Sequence, residues 1–151
     1  MSSRKHLPNY FLIVLPLIAN IFLLAGCGAR CTPQNAQDAH KNIQRQGERI
    51  TESWQIALEG IQEQRIDNLY HYEALARSIG DIRDDIAQLR VPECAQDAKN
   101  ALLTYSDGYI QTSLLMAQHA DPQEVEASIA EVERFQQDYI EEMDALKEFF
   151  H

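Results

Sequence analysis

Cysteines, histidines and a large excess of carboxylates are the residues of this chain with the means to do chemistry. Cys31 and Cys94 stand too far apart in sequence for a Cys-x-x-Cys redox pair, and no further pair completes a zinc set. Nucleophilic hydrolysis needs a Ser or Cys with a His and an oxyanion donor; no Gly-x-Ser-x-Gly occurs. His-Glu-x-x-His and Cys-x-x-Cys-His are also absent, and the six glycines are scattered rather than gathered into a phosphate-cradling loop. The residue types therefore point away from an enzyme.

Metal and haem chemistry need a closer reading, because helical chains can hold both. Di-iron carboxylate bundles use Glu-x-x-His twice on facing helices. Here Glu148-Phe149-Phe150-His151 is the sole match and it ends the chain, where helices fray. Asp67 and His71, four apart, share one helix face and read as a surface pair that steadies a helix. Met116 and Met143 with His40, His71 and His119 would supply axial haem ligands of the b-cytochrome type. Methionine at helical spacing is first of all a packing residue, and His119 falls in the last turn of its helix, where a cation suits the dipole. No metal site and no cofactor is expected.

The third cysteine carries a different chemistry. Arg4-Lys5 precede an apolar stretch from Leu7 to Leu24, which ends in Leu24-Ala25-Gly26-Cys27. This run resembles the lipobox of bacterial lipoproteins: small residues admit an extended backbone to the signal peptidase, and the Cys sulfur takes the diacylglyceryl group. Residues Tyr10 to Ala25 number 16, short of the roughly 20 that a spanning helix needs, and Pro16 and Asn20 weaken it further. The resemblance implies a signal peptide over 1–26, a lipidated tether over 27–32 and a folded domain over 33–151. It implies lipidation of Cys27 and, with N-acylation, three chains, enough for lasting membrane attachment. Gly28 after the cysteine, rather than Asp, implies an outer membrane facing the periplasm, or the outer face of the cell membrane in a single-membrane bacterium. That compartment is oxidising, so the resemblance also implies a Cys31–Cys94 disulfide, with two unpaired thiols as the alternative.

Removing the leader takes away Arg4 and Lys5 and no acid, leaving 11 basic against 23 acidic residues. Nucleic acid demands clustered Lys and Arg, so it is excluded as a partner. A polybasic grip on anionic lipid is excluded too, which leaves the lipid on Cys27 as the membrane contact.

The elements that must position these residues all read as helices. Thr32 and Pro33 form an N-cap and first helical residue. Ala36, Ala39, Ile43, Gly47, Ile50, Trp54, Ala57 and Ile61 then fall at three-and-four spacing. A second series, Ile66, Leu69, Tyr72, Leu75, Ala76, Ile79, Ile82, Ile86 and Leu89, is out of phase with the first, and Gly60 lies just before the slip. The chain breaks there or continues as a bent helix. Val91 before Pro92 stops the segment, and Pro92 is expected to open the next helix. That helix carries Ala95, Ala98, Leu102, Tyr105, Tyr109, Met116 and Ala120, with Gly108 tolerated inside it. Asp121-Pro122-Gln123-Glu124 has the form of a capping box, and Val125, Ile129, Val132, Phe135, Tyr139, Met143, Leu146 and Phe150 follow.

The expected fold class is all-α: an antiparallel bundle of four helical segments, with three helices and a long bent first helix as the alternative. A straight helix from Pro33 to Arg90 would be about 85 Å long, whereas a disulfide needs Cα atoms within about 7 Å. An up-down-up-down bundle of matched helices brings Cys31 and Cys94 to one end. Against it, Gln62-Glu63-Gln64-Arg65 is strong helix former rather than loop. The order helix, Leu89-Arg90-Val91-Pro92, helix, acidic helix resembles many small all-helical envelope lipoproteins of unknown function.

Tyr70 and His71 fall off the apolar seam and offer a contact patch. The last helix is more lopsided: from Asp121 to His151 there are ten acids and two bases. Glu131, Asp138, Glu141, Glu142, Asp144 and Glu148 form a candidate partner surface, and the last two lie where the helix dipole disfavours acids. The expected function is a non-enzymatic binding or structural lipoprotein that docks a basic envelope protein. The alternative is a periplasmic ligand, metal or haem carrier using the bundle interior.

Overall fold

The computed structural model describes residues 30–62 and 68–151, with the side chains of 61, 62, 68 and 69 left aside. Cys27, the leader, Ile61, Ile66, Asp67 and Leu69 lie outside those descriptions. Four helices follow one another: α1 (Pro33–Gln62), α2 (Asn68–Gln88), α3 (Gln96–Ala117) and α4 (Pro122–Lys147). Among the described residues there is no strand, and no helix is long and apolar enough to cross a membrane. The described residues form an all-α bundle of four helices.

Each helix starts and stops for local reasons. At the start of α1, the Asn35 amide donates to Thr32 Oγ1 at 3.2 Å. Helix α1 does not break at Gly60; it runs on to Gln62, the glycine being tolerated inside it. The ring of His71 lies over Gly60, where a Cβ would meet it at 3.1 Å. Pro92 does not open α3 directly. A single 3₁₀ turn, Glu93–Ala95, intervenes, and α3 begins at Gln96. Asp121 caps α4, accepting from the Gln123 amide at 2.8 Å.

The turn between α3 and α4 corrects the expectation for His119. This residue lies beyond the last turn of α3, at φ 52°. Its amide donates to Met116 O and the Ala120 amide to Leu115 O, the paired bonds of a Schellman motif. Glycine usually fills that left-handed position, because a Cβ there crowds the following carbonyl.

Successive helices run antiparallel. Arg49 reaches Asp85 at 2.7 Å from α1 to α2, and Arg83 reaches Asp107 at 2.6 Å from α2 to α3. Lys99 Nζ donates to the carbonyls of Ala87 and Leu89, closing the end of α2. Between α3 and α4, the Thr112 and Ser128 hydroxyls meet at 2.7 Å in the interior. Expected matched lengths give way to helices of 30, 21, 22 and 26 residues.

The core is largely the seam read from spacing: Ala36, Ala39, Ile43, Ile50 and Ala57 from α1; Leu75, Ile79, Ile82 and Ile86 from α2; Val132, Met143 and Leu146 from α4. Helix α3 departs from a one-sided pattern. Ser106, Gly108, Thr112 and Ser113 are buried along with Leu102 and Tyr105, since this helix packs against both α2 and α4. The Ser106, Thr112 and Ser113 hydroxyls each donate to the carbonyl four residues back, so none of the three is left without a partner. Ile129, expected in the seam, is 37% exposed; its neighbour Ser128 turns inward instead.

Candidate functional site

Cys31 and Cys94 lie at disulfide distance, with Cα atoms 5.9 Å apart. Cys31 immediately precedes the start of α1 and Cys94 sits in the 3₁₀ turn before α3, so they mark the end of the bundle where both helices begin. The C-terminus of α4 reaches the same end: Phe150 packs edge-on against His40, ring centroids 5.5 Å apart. His40 Nε2 is enclosed there without a hydrogen-bond partner. Burial, assisted by the Lys147 charge and opposed by Asp144, holds its pKa below the ordinary histidine value.

The candidate acidic surface divides. Asp138, Glu141 and Glu142 gather along the α3–α4 groove, where Asp97 and Asn100 of α3 face them across Phe135. Asp144 turns away, pairing with Lys147 at 2.7 Å and lying near His40 on the α1 side. Glu131 and Glu148 are exposed but do not line the groove. Spacing along α4 could not identify Asp97, which reaches this cluster only because α3 runs alongside.

A second groove, of about 450 Å³, separates the middle of α1 from α4. Its floor is aromatic. Tyr105 and Tyr139 lie nearly parallel, 7° between planes and 6.1 Å between centroids. Behind them Tyr105 donates its hydroxyl to Tyr109 at 3.1 Å, and Tyr109 packs on Trp54 at 4.7 Å. Tyr139 lies so close over Gly47 that a Cβ there would stand 2.7 Å from its hydroxyl. Burial, with a smaller push from Glu48, raises the Tyr139 hydroxyl to about 12, and burial raises Tyr105 further. Neither tyrosine ionises at neutral pH.

The ligand types considered for metal or haem do not converge. His40 sits at the disulfide end and His119 in the opposite turn. His71 faces Ala57 O at 3.1 Å, so it does not join Tyr70 in an outward patch; Tyr70 alone is exposed, with Arg77 over its ring. Met143 is buried in the core and Met116 is half-buried. Among the described residues no three His, Cys, Asp or Glu side chains cluster in metal-holding geometry.

Comparison with known proteins adds no relative: no family model, no curated protein and no solved structure matches this chain.

Proposed function

We propose that this chain is a lipid-anchored lipoprotein of the bacterial cell envelope whose bundle serves as a docking surface for a basic protein, without catalysis. The observation that carries the anchoring is Leu24-Ala25-Gly26-Cys27 behind a basic start and an apolar run. Cys27 stands four residues before Cys31, so the tether spans at most about 14 Å. Lipid on Cys27 would therefore hold the cysteine-paired end of the bundle against the membrane.

Docking is supported by the charge on α4. Its only cross-helix polar bond among those described joins two hydroxyls, Thr112 and Ser128, and its single described ion pair is the local Asp144–Lys147 contact. Asp97, Asp138, Glu141 and Glu142 thus present carboxylates to the α3–α4 groove with no basic side chain lining it. A partner bearing Lys or Arg would be steered there, and the binding would weaken with salt.

Two measurements test the reading. Mass spectrometry of the mature N-terminus should find acylated Cys27; an intact leader or an unacylated N-terminus would refute the anchoring. Capture of envelope proteins at low salt should recover a basic partner that Asp138→Lys with Glu141→Lys and Glu142→Lys no longer binds. Retention by that triple variant would refute the acidic surface.

A further inference from the structure

Two phenylalanines follow one another at the close of α4, and the fold treats them in opposite ways. Phe150 packs against the core and edge-on against His40, whereas Phe149 is 50% exposed. Both sit in the short turn after Lys147, where the Phe149 amide donates to Leu146 O and the Phe150 amide to Lys147 O. With the backbone held by those bonds, Phe149 cannot turn inward without drawing Phe150 out. His40 is the eighth residue of α1, so the turn lies within about 10 Å of the start of that helix along its axis. Phe149 therefore stands at the cysteine-paired end of the bundle.

That end differs in charge from the rest of the molecule. Residues 30–41, 89–99 and 144–151 converge there, and they hold five basic and five acidic side chains. The remainder of the chain after Cys27 holds six basic and eighteen acidic ones, so it carries the entire acidic excess. No run of the sequence is polybasic; the balance appears only when the fold brings the three segments together. An anionic bilayer repels the acidic flanks within a Debye length, about 8 Å at physiological salt, and does not repel a neutral end. Lys99 is engaged by the carbonyls of Ala87 and Leu89, and Lys147 by Asp144. Arg30 and Arg90 are exposed and take part in none of the described ion pairs. Arg30 follows Cys27 by three residues, a reach of at most about 11 Å, so lipid on Cys27 selects this end as the one that meets the membrane.

We infer that the bundle stands end-on upon an anionic phospholipid bilayer, with Phe149 inserted at the boundary between headgroups and acyl chains and the Arg30 and Arg90 guanidinium groups on lipid phosphates. An aromatic ring is stable at that boundary, and a planar guanidinium matches a phosphate. The inference rests on the acylation of Cys27 and adds a contact made by the protein itself, from a different helix. A single tether leaves the bundle free to tip over; two separate contacts hold its axis upright, with the acidic flanks in solvent.

Contact quenching of tryptophan tests the inference. The full chain as processed in bacteria is purified from membranes and placed in vesicles of phosphatidylethanolamine and phosphatidylglycerol that contain lipid brominated along its acyl chains. Trp54, the sole tryptophan, lies about 30 Å along α1 from Pro33, and its emission should not be quenched. Phe149→Trp should add emission that the brominated lipid quenches, and Arg30→Glu with Arg90→Glu in that background should reduce the loss. Ile56→Trp puts the same probe at an exposed apolar position in the far half of α1, and its added emission should survive. All four positions are exposed, and a thermal melt checks that each variant is folded. Mass spectrometry of the same preparation reads the acylation of Cys27 separately. An acylated chain whose Phe149→Trp emission is not quenched would overturn the inference and leave the anchoring standing. Equal quenching at positions 149 and 56 would also overturn it, since that outcome describes a bundle lying on its side. A chain without acyl mass would refute the anchoring, and the inference with it.

Discussion

Helix α4 has two flanks, and the bundle treats them in opposite ways. Against α3 its first half is closed tightly, and only further along does the acidic groove open. Gly108 lets α3 approach until a Cβ would stand 3.0 Å from Phe135 and 3.1 Å from Val132, and Thr112 and Ser128 share a buried hydrogen bond beside them. Against α1 it is held at a few points, such as Tyr139 on Gly47 and Phe150 on His40, and opens into a polar groove between them. Small residues on facing helices give a shared core; long polar residues leave a cleft. The contrast teaches that α2, α3 and α4 are joined by packing, whereas α1 depends more on discrete ties: the Cys31–Cys94 pair, Arg49 to Asp85, and the aromatic contact of Trp54 with Tyr109.

The largest expected effect breaks the strongest of those ties. Cys31 and Cys94 are separated by 63 residues, so Cys31→Ser with Cys94→Ser should cost about 4 kcal/mol in urea unfolding, mainly through entropy returned to the unfolded chain. Hydrogen exchange should rise first in α1. Equal loss of protection in α3 and α4 would show that the two flanks do not differ as described.

Next come the two glycines beneath α4. Gly108→Leu should cost about 3 kcal/mol, because backbone and ring must move apart. Gly47→Ala should change stability by no more than about 0.5 kcal/mol: the Tyr139 ring swings into the groove, and alanine's better helix propensity offsets the shift. Similar costs at both positions would erase the comparison.

A smaller and opposite effect is expected in the turn that joins the tight flank. His119→Gly relieves a left-handed residue at the end of α3 and should raise stability by about 1 kcal/mol, read as a higher melting temperature.

The smallest concerns the loose flank and pH. His40 is held below its ordinary value by burial and by Lys147, with Asp144 opposing and His151 adding a little repulsion. As pH falls, the unfolded chain takes up the proton before the folded one does. Stability is therefore full above the ordinary histidine range, declines as pH drops through about 6.5, and levels off below the folded pKa. His40→Gln should flatten that part of the profile; an unchanged slope would assign it to other groups.

Much of this architecture was legible residue by residue. Ile43, Ile50, Ile79, Ile86, Leu102 and Leu146 were all marked by spacing, and all are almost fully buried. Thr32, Asp121 and Pro122 mark helix starts by their local chemistry, which does not depend on what packs nearby. The boundary between α1 and α2 was harder to read, because Gln62-Glu63-Gln64-Arg65 is strong helix former in sequence. The failures share a cause. Ser106, Thr112 and Ser128 look like surface residues, yet close approach of α3 to α4 buries them and lets their hydroxyls find partners. His71 reads from its own helix as part of an outward patch with Tyr70, yet it lies against Gly60 and Ala57 of another helix.

The chain's pattern alone determined that four apolar stripes exist and where two of the helices, α1 and α4, begin, because periodicity and capping are properties of contiguous residues. It also determined that the last helix is acidic. Tertiary structure decided which stripes meet, since that depends on how closely backbones approach. It gathered Asp97 with Asp138, Glu141 and Glu142, turned Asp144 aside, and left Glu48 and Glu52 above a tyrosine floor. A carboxylate's neighbours across a seam are set by the helix beside it, and no spacing along its own helix encodes them.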